Sequence, residues 1–225
     1  MTYNYQDNYE VIIHHDRIQF CRKNPPKINF RIIIDEKDID EGIIINFPYE
    51  HTYHSFKTAS LNVSITQKFE RAGVIIYTKI NGVKHFCLGV DSKYGTLTDF
   101  GGGVKNCETF TQAAARELKE ESLSVFNFKP SDIYKYSDIV YDKNMAIMFL
   151  RVKISDISKS VIQFHKRLNR CNHSENSSIM WINESIFVEL VRTGREVKNS
   201  NYIYPAIYKP VCDLLRSVSS MNQII

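Results

Sequence analysis

Residues 101–122 read GGGVKNCETFTQAAARELKEES: three glycines, then a helical-looking segment that carries four glutamates. Thr109 is a good N-cap, and Gln112 three residues on completes a capping-box pattern. On an ideal helix of about 3.6 residues per turn, with Phe110 at zero, Ala113, Ala114 and Leu118 fall in an apolar arc of roughly −60° to +80°. Thr111, Gln112, Ala115, Lys119 and Ser122 take the opposite side, which reads as the solvent face. Glu117 and Glu121 fall at about −20° and +20°, among the apolar positions, and Glu120 at about −80°, the edge of the same half. The carboxylates therefore point toward the body of the protein and not outward with Lys119.

Clustered, desolvated carboxylates repel one another and lose hydration. Arg116, four residues before Glu120, supplies one compensating charge, but one arginine cannot neutralise three glutamates. A divalent cation can, and hard oxygen ligands with partial exposure suit Mg2+ or Mn2+. The plainer alternative is a helix end with ordinary ion pairs.

Working outward, AGVIIYTKI (72–80), Asn81-Gly82 and VKHFCLGV (83–90) predict a β-hairpin with a tight primed turn. A loop over 91–95 leads to TLTDF (96–100), a short strand running into the glycines, which read as a turn. IYKYSDIVY (133–141) and MAIMFLRVK (145–153) flank Asp142-Lys143-Asn144 as a second hairpin. SSIMWIN (177–183) reads as a strand, ESIFVELVR (184–192) as a helix, and a last helix lies near PAIYKPVCDLLRSV (205–218). Strands, helix, strands, then helices make an α+β fold with a mixed sheet packed by helices. Residues 1–68 read as an N-terminal extension or small subdomain, with strands in RIIIDEKDID (31–40) and GIIINFPYE (42–50) and a break at Pro25-Pro26. Residues 69–225 form the main domain.

The 225 residues are 43% hydrophobic and 24% charged, as in a soluble globular protein. No stretch approaches about 18 consecutive apolar residues, so no membrane span is expected. MTYNYQDNYE does not read as a signal peptide. Cys21, Cys87, Cys107, Cys171 and Cys212 are widely spaced and lack a CxxC pair, which argues against a disulfide framework or a zinc site. The expected setting is reducing and intracellular, most simply the cytoplasm. The net charge of +4 tolerates a polyanionic ligand without demanding one.

Gly102, five residues, Glu108, seven residues, then Arg116-Glu117-Leu118-Lys119-Glu120-Glu121 resembles the Nudix box, GX5EX7REUXEEXGU, with U a bulky aliphatic residue. The box spans 102–121, and the flanking strand order extends the resemblance from about residue 70 to 195. Two positions depart from the pattern. Leu123 and Ser124 stand where the family has Gly and an aliphatic residue, which leaves the helix exit open, and Phe100 replaces the usual proline before the glycines. The resemblance implies that Glu117, Glu120 and Glu121 bind metal and that Arg116 orients them. Glu108 would support the loop or bind metal through water, and Gly102 would offer its carbonyl. The bare backbone of Gly101, Gly102 and Gly103 would admit phosphate and metal.

Nudix-like enzymes hydrolyse a diphosphate joined to another group X, so the resemblance implies a Mg2+-dependent pyrophosphohydrolase, with Mn2+ able to substitute. Glu175, just before the strand containing Trp181, is the candidate general base or further metal ligand; an exposed loop glutamate is the plain alternative. Tyr94 and Phe100 flank the glycines and are candidates to stack on a base, with core packing the better reading of Phe100. The GGG run resembles the diphosphoinositol polyphosphate hydrolases, whose anionic ligand wants a basic rim. FHKRLNR (164–170) with Lys153 and Lys159 could supply one, could follow capped RNA as in Nudix mRNA-decapping enzymes that release m7GDP, or could be a solvated helix face. The expected partner is thus a diphosphate-containing small molecule or capped RNA. A different class stays open: a non-catalytic Nudix-like nucleotide-binding or interaction module.

Overall fold

The computed structural model describes residues 68–154, 156–200 and 202–218, together with the backbone of five short strands earlier in the chain. Of these, β1 (Tyr9–His14), β2 (Arg17–Arg22) and β3 (Arg31–Ile32) form a small antiparallel sheet. β4 (Ile43–Asn46) and β5 (Glu50–Thr52) pair antiparallel with each other. The break expected at Pro25-Pro26 and most of the RIIIDEKDID run lie outside the described residues.

β6 (Arg71–Ile80) and β7 (Val83–Asp91) are the first hairpin, closed by Ile80 opposite Val83. Asn81 and Gly82 at its tip have φ of 49° and 82°, as a primed turn requires. Along β6, Ile75 and Tyr77 enter one apolar core while Val74 and Ile76 enter another. This is the two-residue alternation of a strand, and burial on both faces makes the sequence read as an unbroken apolar run. β8 (Leu97–Thr98) pairs with β7, and β9 (Phe100–Gly103) returns antiparallel along β6.

α1 (Phe110–Glu121) carries the expected capping box at Thr109 and Gln112. α2 (Pro130–Tyr136), β10 (Ser137–Tyr141) and β11 (Met145–Ile154) follow. β11 runs parallel to β6, with Met145 opposite Arg71, and on its other side parallel to β4, with Val152 opposite Ile43. The chain continues through α3 (Ile157–Leu168), β12 (Asn176–Asn183) against β7, α4 (Glu184–Thr193), the hairpin of β13 (Val197–Asn199) and β14 (Tyr202–Tyr204), and α5 (Lys209–Val218).

The mixed sheet runs β12-β7-β6-β11-β4-β5. Phe187 and Leu190 of α4 and Leu214 of α5 pack with Ile75 on one face. Ala114 and Leu118 of α1, Ile133 of α2 and Phe164 of α3 pack with Val74 on the other. The fold is therefore α+β, a mixed sheet between helices. Among the described residues, no helix is long and apolar enough to cross a membrane.

Three local expectations are corrected. The first part of IYKYSDIVY is helix, not strand: Pro130 sits at the start of α2, where its fixed φ suits a first turn, and Ile133 is buried. The three glycines are strand β9 and not a turn, and none of them has a positive φ. Ala115 and Ser122, placed on the solvent face of α1, are buried. The chain folds back over that side through Val125, Phe126 and Phe128, and the Ser122 hydroxyl bridges the Phe126 amide and carbonyl. Phe100 packs in the core, edge-on to Phe126.

The exit of α1 keeps a left-handed bend without a glycine. Leu123 and Ser124 have φ of 52° and 61°, a region that costs an L-residue about 1–2 kcal/mol. Their amides bond to Glu120 and Lys119 carbonyls at 3.0 and 2.6 Å, and Arg167 Nη1 donates to the Leu123 carbonyl at 2.6 Å. The Leu123 side chain also packs on the core. Ser124→Gly relieves the strain without losing packing and is expected to raise unfolding stability by about 1 kcal/mol in urea titrations. Leu123→Gly sacrifices apolar contact and is expected to gain less.

Candidate active site

At Gly101 and Gly102, β9 lies so close to its neighbours that a side chain has no room. A Cβ on Gly73, its partner on β6, would collide with the Asp99 carboxylate, and one on Gly102 would lie 2.5 Å from Glu117 Oε1. The first obstacle is rigid. Asp99 is fully buried and takes a two-pronged ion pair from Arg71, at 2.8 Å to Oδ2 and 2.6 Å to Oδ1. Arg71 Nη2 also donates to the Gly101 carbonyl at 3.0 Å. Burial alone would lower the Arg71 guanidinium, but the charge and hydrogen bonds of Asp99 outweigh it and hold it above its ordinary value.

Arg116 organises the other side. It donates to both Glu108 oxygens at 3.0 Å, to Glu117 Oε1, to Glu120 Oε2 at 3.4 Å and to the Gly103 carbonyl at 2.9 Å. The Glu108 bond does most to push Arg116 above its ordinary value, and the same bond holds Glu108 below the usual carboxylate range. Two arginines thus grip the carbonyls on either side of Gly102.

The three α1 glutamates differ in setting. Glu121 is 8% exposed and accepts from the Gly101 amide at 2.9 Å. Its pKa is pushed up to about 9 by burial first, then by the charge of Asp99, with Glu117 and Glu175 adding to it against the Gly101 hydrogen bond. Glu117 is largely covered, held between Arg116 and Gly102. Glu120 is corrected: its side chain is 57% exposed, because its wheel position lies at the rim where the apolar arc ends.

Among the described residues no three carboxylate, histidine or cysteine groups converge to hold an ion in this arrangement. The donor set itself is all oxygen, from carboxylates and backbone carbonyls, and fits a hard divalent cation such as Mg2+ better than a soft one. Glu117 lies against Gly102 and Glu121 against the Gly101 amide, while Glu120 is exposed beside them at the edge of α1.

Of the remaining candidates, Glu175 is exposed, in the loop before β12. Its carbonyl is fixed by the Ser92 amide at 2.8 Å, and its charge reaches Glu121. Tyr94 is 69% exposed, its ring beneath Lys93 Nζ at 4.8 Å. Asp99, Arg71 and Asn176 are participants that no sequence signal singled out. Asn176 is buried, and its Nδ2 donates to the Glu121 carbonyl at 3.2 Å.

No family model matches this sequence, and no curated protein matches it. Among solved structures, the chain is similar to a C. elegans Ap4A hydrolase binary complex at 20% identity and a TM-score of 0.42, over 70% of this chain and 100% of that one. A second C. elegans Ap4A hydrolase structure matches at 18% and 0.37, over 65% and 92%. A mutT/nudix family protein from Listeria innocua matches at 15% and 0.35, over 71% and 97%. Likenesses of this size carry nothing about the chemistry of this chain.

Two measurements probe the site directly. Gly102→Ala meets only the end of a flexible side chain, so it is expected to keep its melting temperature while displacing Glu117. Gly73→Ala drives into the fixed Asp99–Arg71 pair and is expected to lose several kcal/mol, on the order of an overpacked core. For Glu121, the folded state holds its proton more tightly than the unfolded chain, whose ordinary value is 4.5 against about 9. Metal-free protein is therefore expected to lose stability as pH rises through that window, where the unfolded state binds fewer protons. In EDTA, urea midpoints at pH 6 and 8.5 should fall in the wild type and stay level in Glu121→Gln.

Proposed function

We propose that the chain is a Mg2+-dependent pyrophosphohydrolase of the Nudix type, cleaving a diphosphate linkage in a nucleoside diphosphate joined to another group. The observation that carries this reading is the meeting of a bare glycine strand with three carboxylates of α1, Glu117 and Glu120 bonded by Arg116 and Glu121 by the Gly101 amide. The ion-pair cluster itself needs glycine at 101 and 102, where a Cβ would meet Asp99 and Glu117, but not at Gly103, where bare main chain admits a phosphate and a cation.

Glu117, Glu120 and Glu121 would hold the cation, with the Gly102 carbonyl and Glu108 as further supports. A bound Mg2+, or Mn2+ in its place, would offset diphosphate charge and lower the pKa of a coordinated water. The protein's own part is position. Gly103, where a Cβ would meet nothing nearer than 3.9 Å, leaves space for phosphate oxygens at the end of β9, while Gly101 and Gly102 let Asp99 and Glu117 lie against the main chain. Arg116 keeps Glu117 and Glu120 oriented, and the Asp99–Arg71 pair keeps β9 straight so that the Gly101 amide meets Glu121. Glu175, anchored through its carbonyl, would take the proton of the attacking water, and the exposed Tyr94 would offer a surface to the group X.

The test is a product assay with Mg2+ on wild type and Glu120→Gln. The panel spans dinucleoside polyphosphates, ADP-ribose, nucleoside triphosphates, a diphosphoinositol phosphate, free cap analogue and capped RNA. Turnover of at least one substrate is expected, falling about a hundredfold or more in Glu120→Gln, with the fold retained because Glu120 is exposed. Release of m7GDP from capped RNA but not from free cap would specify the decapping reading. Silence across the panel with metal still bound would replace the hydrolase with a binding module.

A further inference from the structure

Next to the α1 flank, a cleft of about 630 Å3 opens between α1 and the end of α3, lined by Arg116, Lys119, Glu120, Leu123, Arg167 and Arg170 among others. Its charge is unbalanced. Arg116 is already paired with Glu108 and Glu117. Glu120 is the sole carboxylate among the lining residues, whereas Lys119 and Arg170 bring two further cations. Arg167 is held to the wall through the carbonyl of the strained Leu123, while Lys119 and Arg170 are exposed. On α1 the lining residues Lys119, Arg116 and Glu120 follow one another around the helix, at about 180°, 240° and 280°, and Leu123 follows in the left-handed exit. The cleft therefore adjoins the candidate metal flank and shares Glu120 with it.

Basic residues in the last turn of a helix also complement its dipole. That accounts for Lys119 and Arg167, but Arg170 lies past the end of α3 and gains little there. A strand of RNA is a poorer fit, because no aromatic side chain lines the cleft to stack a base, and the cations gather at one place instead of following a track.

We infer that this cleft seats a phosphate group beyond the scissile diphosphate, so that the substrate is a compact polyanion with at least three phosphates. What arrives there rests on the pyrophosphohydrolase reading, but the affinity of the cleft for phosphate does not depend on turnover. Arg170 and Lys119 act as specificity-determining residues through charge-assisted hydrogen bonds.

The experiment is calorimetric binding of inorganic tripolyphosphate to the full chain in EDTA, for wild type, Lys119→Ala, Arg170→Ala and the double variant, each checked by thermal unfolding. Each single variant is expected to weaken binding about tenfold, the double variant more, and Lys119→Arg with Arg170→Lys to restore it. Glu120→Gln, which removes the sole opposing carboxylate, should bind at least as tightly as wild type. Equal affinity of wild type and double variant overturns the cleft, whether or not the chain turns over a substrate. Lost stability with unchanged affinity overturns it in favour of the helix dipole. If only the affinity for a single-stranded oligoribonucleotide falls, the cleft belongs to RNA and the inference fails. Failure of the hydrolase assay alongside the expected binding changes would remove the catalytic reading and leave the anion site standing.

Discussion

The buried pair of Asp99 and Arg71 is the constraint on which the site depends. A carboxylate with no solvent exposure is tolerable only when fully bonded, and Arg71 supplies both prongs while also reaching the Gly101 carbonyl. That fixes β9 against β6, with the Gly73–Gly101 pair too close to Asp99 and to each other for a Cβ on either. With β9 drawn in, the space between the strand and α1 is lined by main chain on one side and carboxylates on the other. Removing Arg71 would leave a buried carboxylate alone, at a cost of about 3–5 kcal/mol, and would release the strand at the same time.

A second arginine does the complementary work. Arg116 ties Glu108, Glu117 and the Gly103 carbonyl together, so charge closes the loop between β9 and α1 alongside the apolar contact of Val104. Glu121 has no such partner. Its proton affinity is high because burial and neighbouring carboxylates leave negative charge uncompensated. One flank of a single helix thus holds a neutralised glutamate, an exposed one and a strongly desolvated one, and the differences come from what covers each.

Much of this was legible in residue spacing. The helical period placed Glu117 and Glu121 inward, and the capping box placed the start of α1. The paired hairpins followed from Asn81-Gly82 and from the turn at Asp142. The rest needed tertiary context. Asp99 and Arg71 stand 28 residues apart, at a spacing with no periodic meaning, and a lone Asp in TDF gives no sign of burial. Consecutive glycines suggest a turn by default, yet here they are a strand thinned for close approach. IYKY favours a strand by composition, and only Pro130 hints that a helix begins before it. Ala115 and Ser122 looked solvated because a wheel shows one helix and not the chain that later folds across it. The exit of α1 shows the reverse: without the expected glycine the backbone still bends left-handed, because core packing and Arg167 hold Leu123 in place.

The parallel pairing of β6 with β11 has a kinetic side. Residues 71 and 145 are partners in that register, so β9 and the whole of α1 lie inside the loop that this pairing closes. The β6–β7 hairpin is local and is expected to form early, whereas joining the two parallel strands carries a large loop-closure entropy before any contact rewards it. Arg71 sits at the first position of that register, with its Nη1 against Met145 Sδ as well as Asp99. This closure therefore brings Met145 against the same arginine that holds Asp99 and the Gly101 carbonyl. A partly folded chain that has β6 and β7 but not β11 is expected to expose its glycine strand and to have no site at all.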